Sequence, residues 1–184
     1  MTDLRYPIGE FVYTGPLDAE RRRRCIARIA AAPALLRAAV EGLAREQLDT
    51  PYRPGGWTAR QVVHHVPDSH LNGYLRFRLA LTESSPTIKP YDQTRWAVLP
   101  DARTAPVEPS LALLEALHRR WVLLFEQLQE DDWARAFHHP DQHRDVSLDE
   151  ALALYAWHGN HHTAQVAALR DRMGWGDRSP AVPV

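Results

Sequence analysis

The sequence predicts an all-α fold, a bundle of four long helices with a long proline-rich loop between the second and third. Three observations carry this. Apolar residues recur at spacings of three and four over four separate stretches. Prolines and glycines fall mainly between those stretches. Two of the stretches carry clustered histidines, and on the last of them two fall where a helical core expects leucine.

The first helix begins near Leu17, with Asp18 and Glu20 where acidic groups favour the helix dipole. Ile26, Ile29, Ala30, Leu35, Leu36, Ala39, Val40 and Leu43 keep helical spacing, and Pro33 is expected to kink or divide it. The run Arg21 to Arg24 is expected to form a solvated face, with a clamp for an anionic cosubstrate as the alternative. Cys25 beside it is expected to be a small buried hydrophobe rather than a reactive thiol.

A loop over 47–57, with Pro51, Pro54 and Gly55-Gly56, leads to Thr58, a good N-cap for a second helix running to about Glu83. Pro67 inside it cannot donate to the carbonyl of Val63. Residues 84–109 hold five prolines together with Tyr91 and Trp96, the composition of a functional loop that packs down like a lid.

The third helix is expected from about Ser110 to Glu130, with Leu113, Leu114, Leu117, Trp121, Leu124, Phe125 and Leu128 on one stripe. Residues 131–146 read as a polar connection carrying His138, His139 and His143. Ser147 and Glu150 read as a capping box opening the fourth helix, which Met173-Gly174 closes. Residues 1–16 are expected to be an extended arm and 176–184 a loose tail of one domain spanning 1–184.

Composition bounds the function. The net charge of −1 gives no bulk field for nucleic acid or an acidic membrane, and no aromatic and basic platform accompanies the arginine run. A single cysteine excludes an internal disulfide framework and points to the reducing cytoplasm. No apolar run approaches the ~20 residues of a membrane span, and no signal peptide is expected.

Ten histidines, six of them in two clusters, exceed what packing or solubility needs. On the fourth helix a line through Leu148, Leu152, Tyr155, His158, His162, Val166 or Gln165, Leu169 and Met173 is expected to face inward. His158 and His162, four residues apart, lie one above the other, about 5–6 Å apart at Cβ, close enough for both to reach one ion. His161 falls on a neighbouring line. On the second helix Gln61, His65, Asp68 and Asn72 form a polar line, whereas His64 points elsewhere. The bland alternatives are buried neutral histidines satisfied by hydrogen bonds and, on the second helix, a solvent-facing stripe. Each unmet ring nitrogen would cost about 1–3 kcal/mol, and coordination supplies the partners.

The chain resembles the DinB-like superfamily of metal-binding four-helix bundles, and more closely its YfiT-type metal-dependent hydrolases, which are similar to bacillithiol S-transferases. The resemblance rests on Tyr6-Pro7-Ile8-Gly9-Glu10, Leu48-Asp49-Thr50-Pro51-Tyr52-Arg53, Gly56-Trp57-Thr58 through His65, Asp68-Ser69-His70, Pro90-Tyr91-Asp92, and Trp157-His158 with His161-His162. It implies a metal triad of His65, His158 and His162, in agreement with the helical lines. Gln165, where relatives often have a further histidine, and Pro67 depart from the pattern.

Three imidazoles leave a divalent ion its full charge and an open position, the arrangement of a catalytic site. Zinc is the first expectation and nickel the second. Gln61, Asp68, Asn72, His161 and Gln165 are expected to orient ligands or line a substrate pocket; no general base is assigned.

If a small thiol occupies the open position, the metal deprotonates it for attack on an electrophile. If water does, a hydroxide attacks an ester or amide. The resemblance implies the thiol chemistry, a bacillithiol-like S-transferase, with hydrolysis as the alternative. A fourth ligand from His70, His138, His139 or His143 would instead make a non-catalytic, metal-stapled binding module. A homodimer is expected from the long apolar helices and the resemblance.

Overall fold

The computed structural model describes residues 3–176. Four long helices dominate it: α1 (Ala19–Val40), α3 (Ala59–Thr82), α6 (Glu108–Phe125) and α7 (Leu148–Met173). Short helices α2 (Arg45–Leu48), α4 (Gln93–Ala97) and α5 (Pro100–Thr104) lie in the connections. Strands β1 (Ala136–His139) and β2 (Arg144–Ser147) pair antiparallel, Phe137 opposite Val146. No helix among the described residues is long and apolar enough to cross a membrane.

Local chemistry sets the helix ends. Asp18, Thr58 and Ser147 each accept a backbone N–H from three residues on, and Gly174, at φ 66°, supplies the left-handed close of α7. Only half of the expected capping box forms at Ser147, because the Glu150 carboxylate is held by Arg144. Pro33 and Pro67 interrupt neither α1 nor α3, which run through them.

Helix α7 packs against α1 and α3, and α6 packs against the same two, so α6 and α7 stand at opposite corners. The apolar core divides into two clusters. One holds Ile29, Phe77, Trp121, Phe125, Leu148, Leu152 and Tyr155; the other holds Leu36, Val62, Val63, Leu114, Val166 and Leu169. Following each helix from one cluster to the other shows α1 and α7 running one way and α3 and α6 the opposite way.

Since α3 and α6 are parallel, the chain between them must return along the bundle, roughly 36 Å for a helix of α3's 24 residues. That requirement explains the proline-rich connection. It is not featureless, since it winds into α4 and α5 on its way. It starts beside the hairpin, where Ile88 N donates to His138 O, and ends where Arg60 bonds Ala105 O.

Several expectations are corrected. The third helix starts at Glu108 and stops at Phe125, short of Glu130. Residues 131–146 are not a plain connection but a short 3-10 turn followed by the hairpin. Leu113 and Met173, placed on inward stripes, are 44% and 48% exposed.

The arginine run is not uniformly solvated. Arg22 is buried and pairs with the buried Asp149 at 2.7 Å and with Glu130, pinning α1 to the start of α7. Burial pushes the Cys25 thiol up, consistent with a packing role. The arm over 3–16 has no helix or strand and is tied along α7, with Trp157 Nε1 donating to Gly9 O and Gln165 Nε2 donating to Arg5 O. The tail from 177 onward lies outside the described residues.

Candidate metal centre

Between the two apolar clusters the bundle carries a layer of imidazoles: His65 and His70 from α3, His118 from α6, and His158, His161 and His162 from α7. In His65, His158 and His162 one ring nitrogen from each lies within 4.8 Å of the other two, a spread that a single ion can bridge. Their rings pack at 4.5 to 5.2 Å between centroids, and His65 Nε2 faces His158 Nε2 across 3.3 Å. The helical lines predicted this convergence: His158 and His162 are stacked on α7, and His65 approaches from α3.

Burial determines their protonation. His65 is held down to about 4, first by burial and then by the neighbouring imidazole of His161. His158 is held well below the usual histidine range by burial, then by His162, His70 and His65, and His162 by burial, then by His65 and His161. All three are therefore neutral near pH 7 and offer lone pairs.

Hydrogen bonds aim the lone pairs of His162. Gln165 Nε2 donates to Arg5 O at 2.8 Å, which fixes the orientation of its amide, so its Oε1 accepts from His162 Nδ1 at 2.9 Å. The free lone pair of His162 must then be on Nε2. His158 Nδ1 is engaged by His70 Nε2 at 3.1 Å, and its Nε2 also points into the centre. Three neutral nitrogens converging without a carboxylate or thiolate among them fit a borderline divalent ion such as zinc or nickel. Among the described residues no fourth histidine, cysteine or carboxylate joins the group.

His158 and His162 open on a cavity of about 410 Å³. Its lining includes Arg5, Tyr6, Arg53, Trp57, Trp157 and Gln165. Trp57 packs on His65 at 4.7 Å between ring centroids and lies nearly parallel to His162. Gln93 and Thr94, from the returning connection, complete one side.

The other candidates fall in different places. His161 stacks on Trp157 at 4.4 Å, and its Nε2 accepts from Gln165, so it and Gln165 both border the cavity. Gln61 does not line the cavity: its amide is used in the N-terminal cap of α3 and in donation to Ala97 O. Asn72 bonds back to Asp68 O within its own helix. Asp68 lies outside the lining as well, its carboxyl raised to about 6 by burial and by Asp101. His64 bonds Ser110 Oγ, as expected of a ring on another line. His138 pairs with Asp145 in the hairpin, and neither His139 nor His143 belongs to the triad.

Sequence reasoning overlooked His118, and it treated His70 only as a possible extra ligand. A signal existed for His118: it follows Leu114 by four residues and precedes Trp121 and Phe125 by three and seven, on the buried stripe of α6.

A family model for the DinB superfamily matches residues 28–166. A protein named "Putative metal-dependent hydrolase" from Bacillus cereus strain AH820 is 53% identical over 175 residues, 95% of this chain and 100% of that one. A like-named protein from Bacillus anthracis strain A0248 matches with the same identity and coverage. Among solved structures, YfiT from Bacillus subtilis, described as a probable metal-dependent hydrolase with an unusual four-helix bundle topology, superposes with a TM-score of 0.92 at 48% identity. That match covers 94% of this chain and 99% of YfiT. With a matching family model over most of its length and these relatives on either side of 50% identity, the chain belongs to the DinB superfamily and is of the YfiT type.

Proposed function

We propose that the protein is a metal-dependent enzyme in which His65, His158 and His162 hold one divalent ion, zinc first and nickel second, and that it transfers a small thiol onto an electrophile. The observation that carries the choice of reaction is the cavity lining. Among the described residues it contains two arginines and four aromatic rings, Tyr6, Tyr52, Trp57 and Trp157, but no aspartate or glutamate.

A divalent ion supplies acidification of whatever thiol or water fills its remaining position. Hydrolysis profits from a carboxylate that takes the water's second proton and passes it to the leaving group. A thiol, already near pKa 8.5, needs no such base.

In the proposed step the thiol would give up its proton to solvent, the sulfur–carbon bond would form, and the carbon–halogen bond of a model alkyl halide would break to release halide. Arg53 in the lining suits anionic groups of the thiol cosubstrate, whereas the Arg5 guanidinium is already paired with Asp3. Trp57, packed on His65, covers one side of the triad. The names of the relatives favour the second reading, hydrolysis of an ester or amide at the same centre.

The two separate in one assay. Purified protein loaded with zinc is expected to consume an alkyl halide only when a small thiol is present. Turnover of esters or amides without thiol, and no thiol-dependent loss of halide substrate, would overturn the transferase reading in favour of hydrolysis.

A further inference from the structure

His158 is the end of a chain of imidazoles that crosses the bundle. His118 Nδ1 lies 2.5 Å from Ile29 O, His118 Nε2 lies 2.8 Å from His70 Nδ1, and His70 Nε2 lies 3.1 Å from His158 Nδ1. A carbonyl oxygen only accepts, so His118 must carry its proton on Nδ1. Each following contact joins two ring nitrogens and holds one proton. His118, being neutral, presents a bare Nε2; His70 must then donate from Nδ1 and accept at Nε2; His158 must donate from Nδ1. The lone pair of His158 is thereby left on Nε2, the nitrogen that faces His65.

From this geometry we propose that His118 and His70 are positioning residues that fix His158 in the Nδ1–H tautomer, with the carbonyl of Ile29 on α1 as the anchor of the relay. The inference rests on the proposed metal site only in what the free Nε2 is for.

The surroundings are built for the relay. His70 and His118 are 0% and 1% exposed, so water cannot substitute for a missing partner. The two rings lie 4.8 Å apart between centroids and 21° from parallel, as an N–H···N bond between them needs, and Trp121 meets both edge-on. Gly159, next to His158, leaves the space the relay uses: a Cβ there would lie 3.5 Å from His70 Cε1 and 3.1 Å from Ala32 Cβ. Reversing the direction of the protons would place N–H on His158 Nε2, where it would point at the ion and exclude it.

Nitrogen-15 NMR of the metal-free wild-type protein tests the relay directly, with zinc affinity as the second measurement. His158 is expected to show a protonated Nδ1 and a bare Nε2. In His118→Phe, which keeps a ring against Trp121, the Nε2–H form of His158 should gain population and zinc should bind about 10- to 100-fold more weakly. His118→Gln, with an amide N–H for Ile29 O and an oxygen for His70, should bind more tightly than His118→Phe.

A protonated Nε2 on wild-type His158, or a folded His118→Phe protein with unchanged tautomer and zinc affinity, would overturn the proposal. A wild-type protein that takes up no zinc yet shows the Nδ1–H tautomer would overturn the metal reading while supporting the relay.

Discussion

The amide of Gln165 bridges His162 and the N-terminal arm: its Oε1 accepts from His162 Nδ1 at 2.9 Å while its Nε2 donates to Arg5 O at 2.8 Å. One side chain thus orients a candidate ligand and fastens the arm that forms part of the cavity wall. Gln165→Leu is expected to weaken zinc binding about 10- to 100-fold, as loss of an outer partner does. Gln165→Glu keeps an acceptor for His162 and should fall between Gln165→Leu and wild type. Competition with a zinc chelator measures both; equal affinity in all three proteins would refute the role.

The metal-free protein should lose stability in mild acid. His65, His118 and His161 are held down to about 4 by burial, whereas an unfolded histidine titrates near 6.5. Between those values the unfolded chain binds more protons than the folded one, so stability rises with pH there. Each such histidine contributes a slope of up to ~1.4 kcal/mol per pH unit, complete above 6.5 and lost as pH falls towards 4. Urea midpoints at pH 7.5, 6 and 5 should fall steeply in that order, and a flat series would contradict the burial.

Gly73 lies against the ring of Tyr155, where a Cβ would come within 2.3 Å of Cζ. Gly73→Ala must push the ring or separate α3 from α7, and is expected to cost about 1–3 kcal/mol through overpacking, despite alanine's better helix propensity. A Tm equal to or above that of the wild type would show that Tyr155 moves freely.

The ion pair between Arg22 and Asp149 joins residues whose side chains are 10% and 5% exposed. Asp149→Ala would leave Arg22 with the exposed Glu130 as its ion-pair partner and the Trp133 ring beneath it, and would remove the acceptor for Leu17 N. Breaking such a pair from one side costs about 3–5 kcal/mol. Denaturant unfolding measures it, and a loss below about 1 kcal/mol would mean that water readily replaces the carboxylate.

How far the sequence could be read varied with the physics of each element. The four helices and their caps at Thr58 and Ser147 were legible because periodicity and capping are local. The hairpin was not. Its strands have four residues each, with one buried apolar side chain apiece, Phe137 and Val146, too little for an alternating pattern. Its turn uses a 3-10 segment and a left-handed His143 rather than an Asn-Gly signal.

Nor could helix direction be read, so the return path that parallel α3 and α6 require of the proline-rich segment was not foreseen, although Gln93 and Thr94 of that segment do border the cavity. At the site, the stacked pair on α7 was visible from spacing. Gln61 and Asn72 shared the polar line of His65 yet are occupied by a cap and a backbone carbonyl, since one helical line serves different neighbours along its length. His118 was legible in the same way, on the buried stripe of α6, but was overlooked.

The central claim is that three imidazoles hold one ion with a position left open. Cobalt titration of the metal-free protein, followed by visible absorption, tests it most directly. One cobalt per chain with intense bands of low coordination number is expected, with bands that shift when a small thiol is added, and tight binding should be lost in His65→Ala, His158→Ala and His162→Ala. No bound cobalt, or undiminished binding in those three variants, would contradict it.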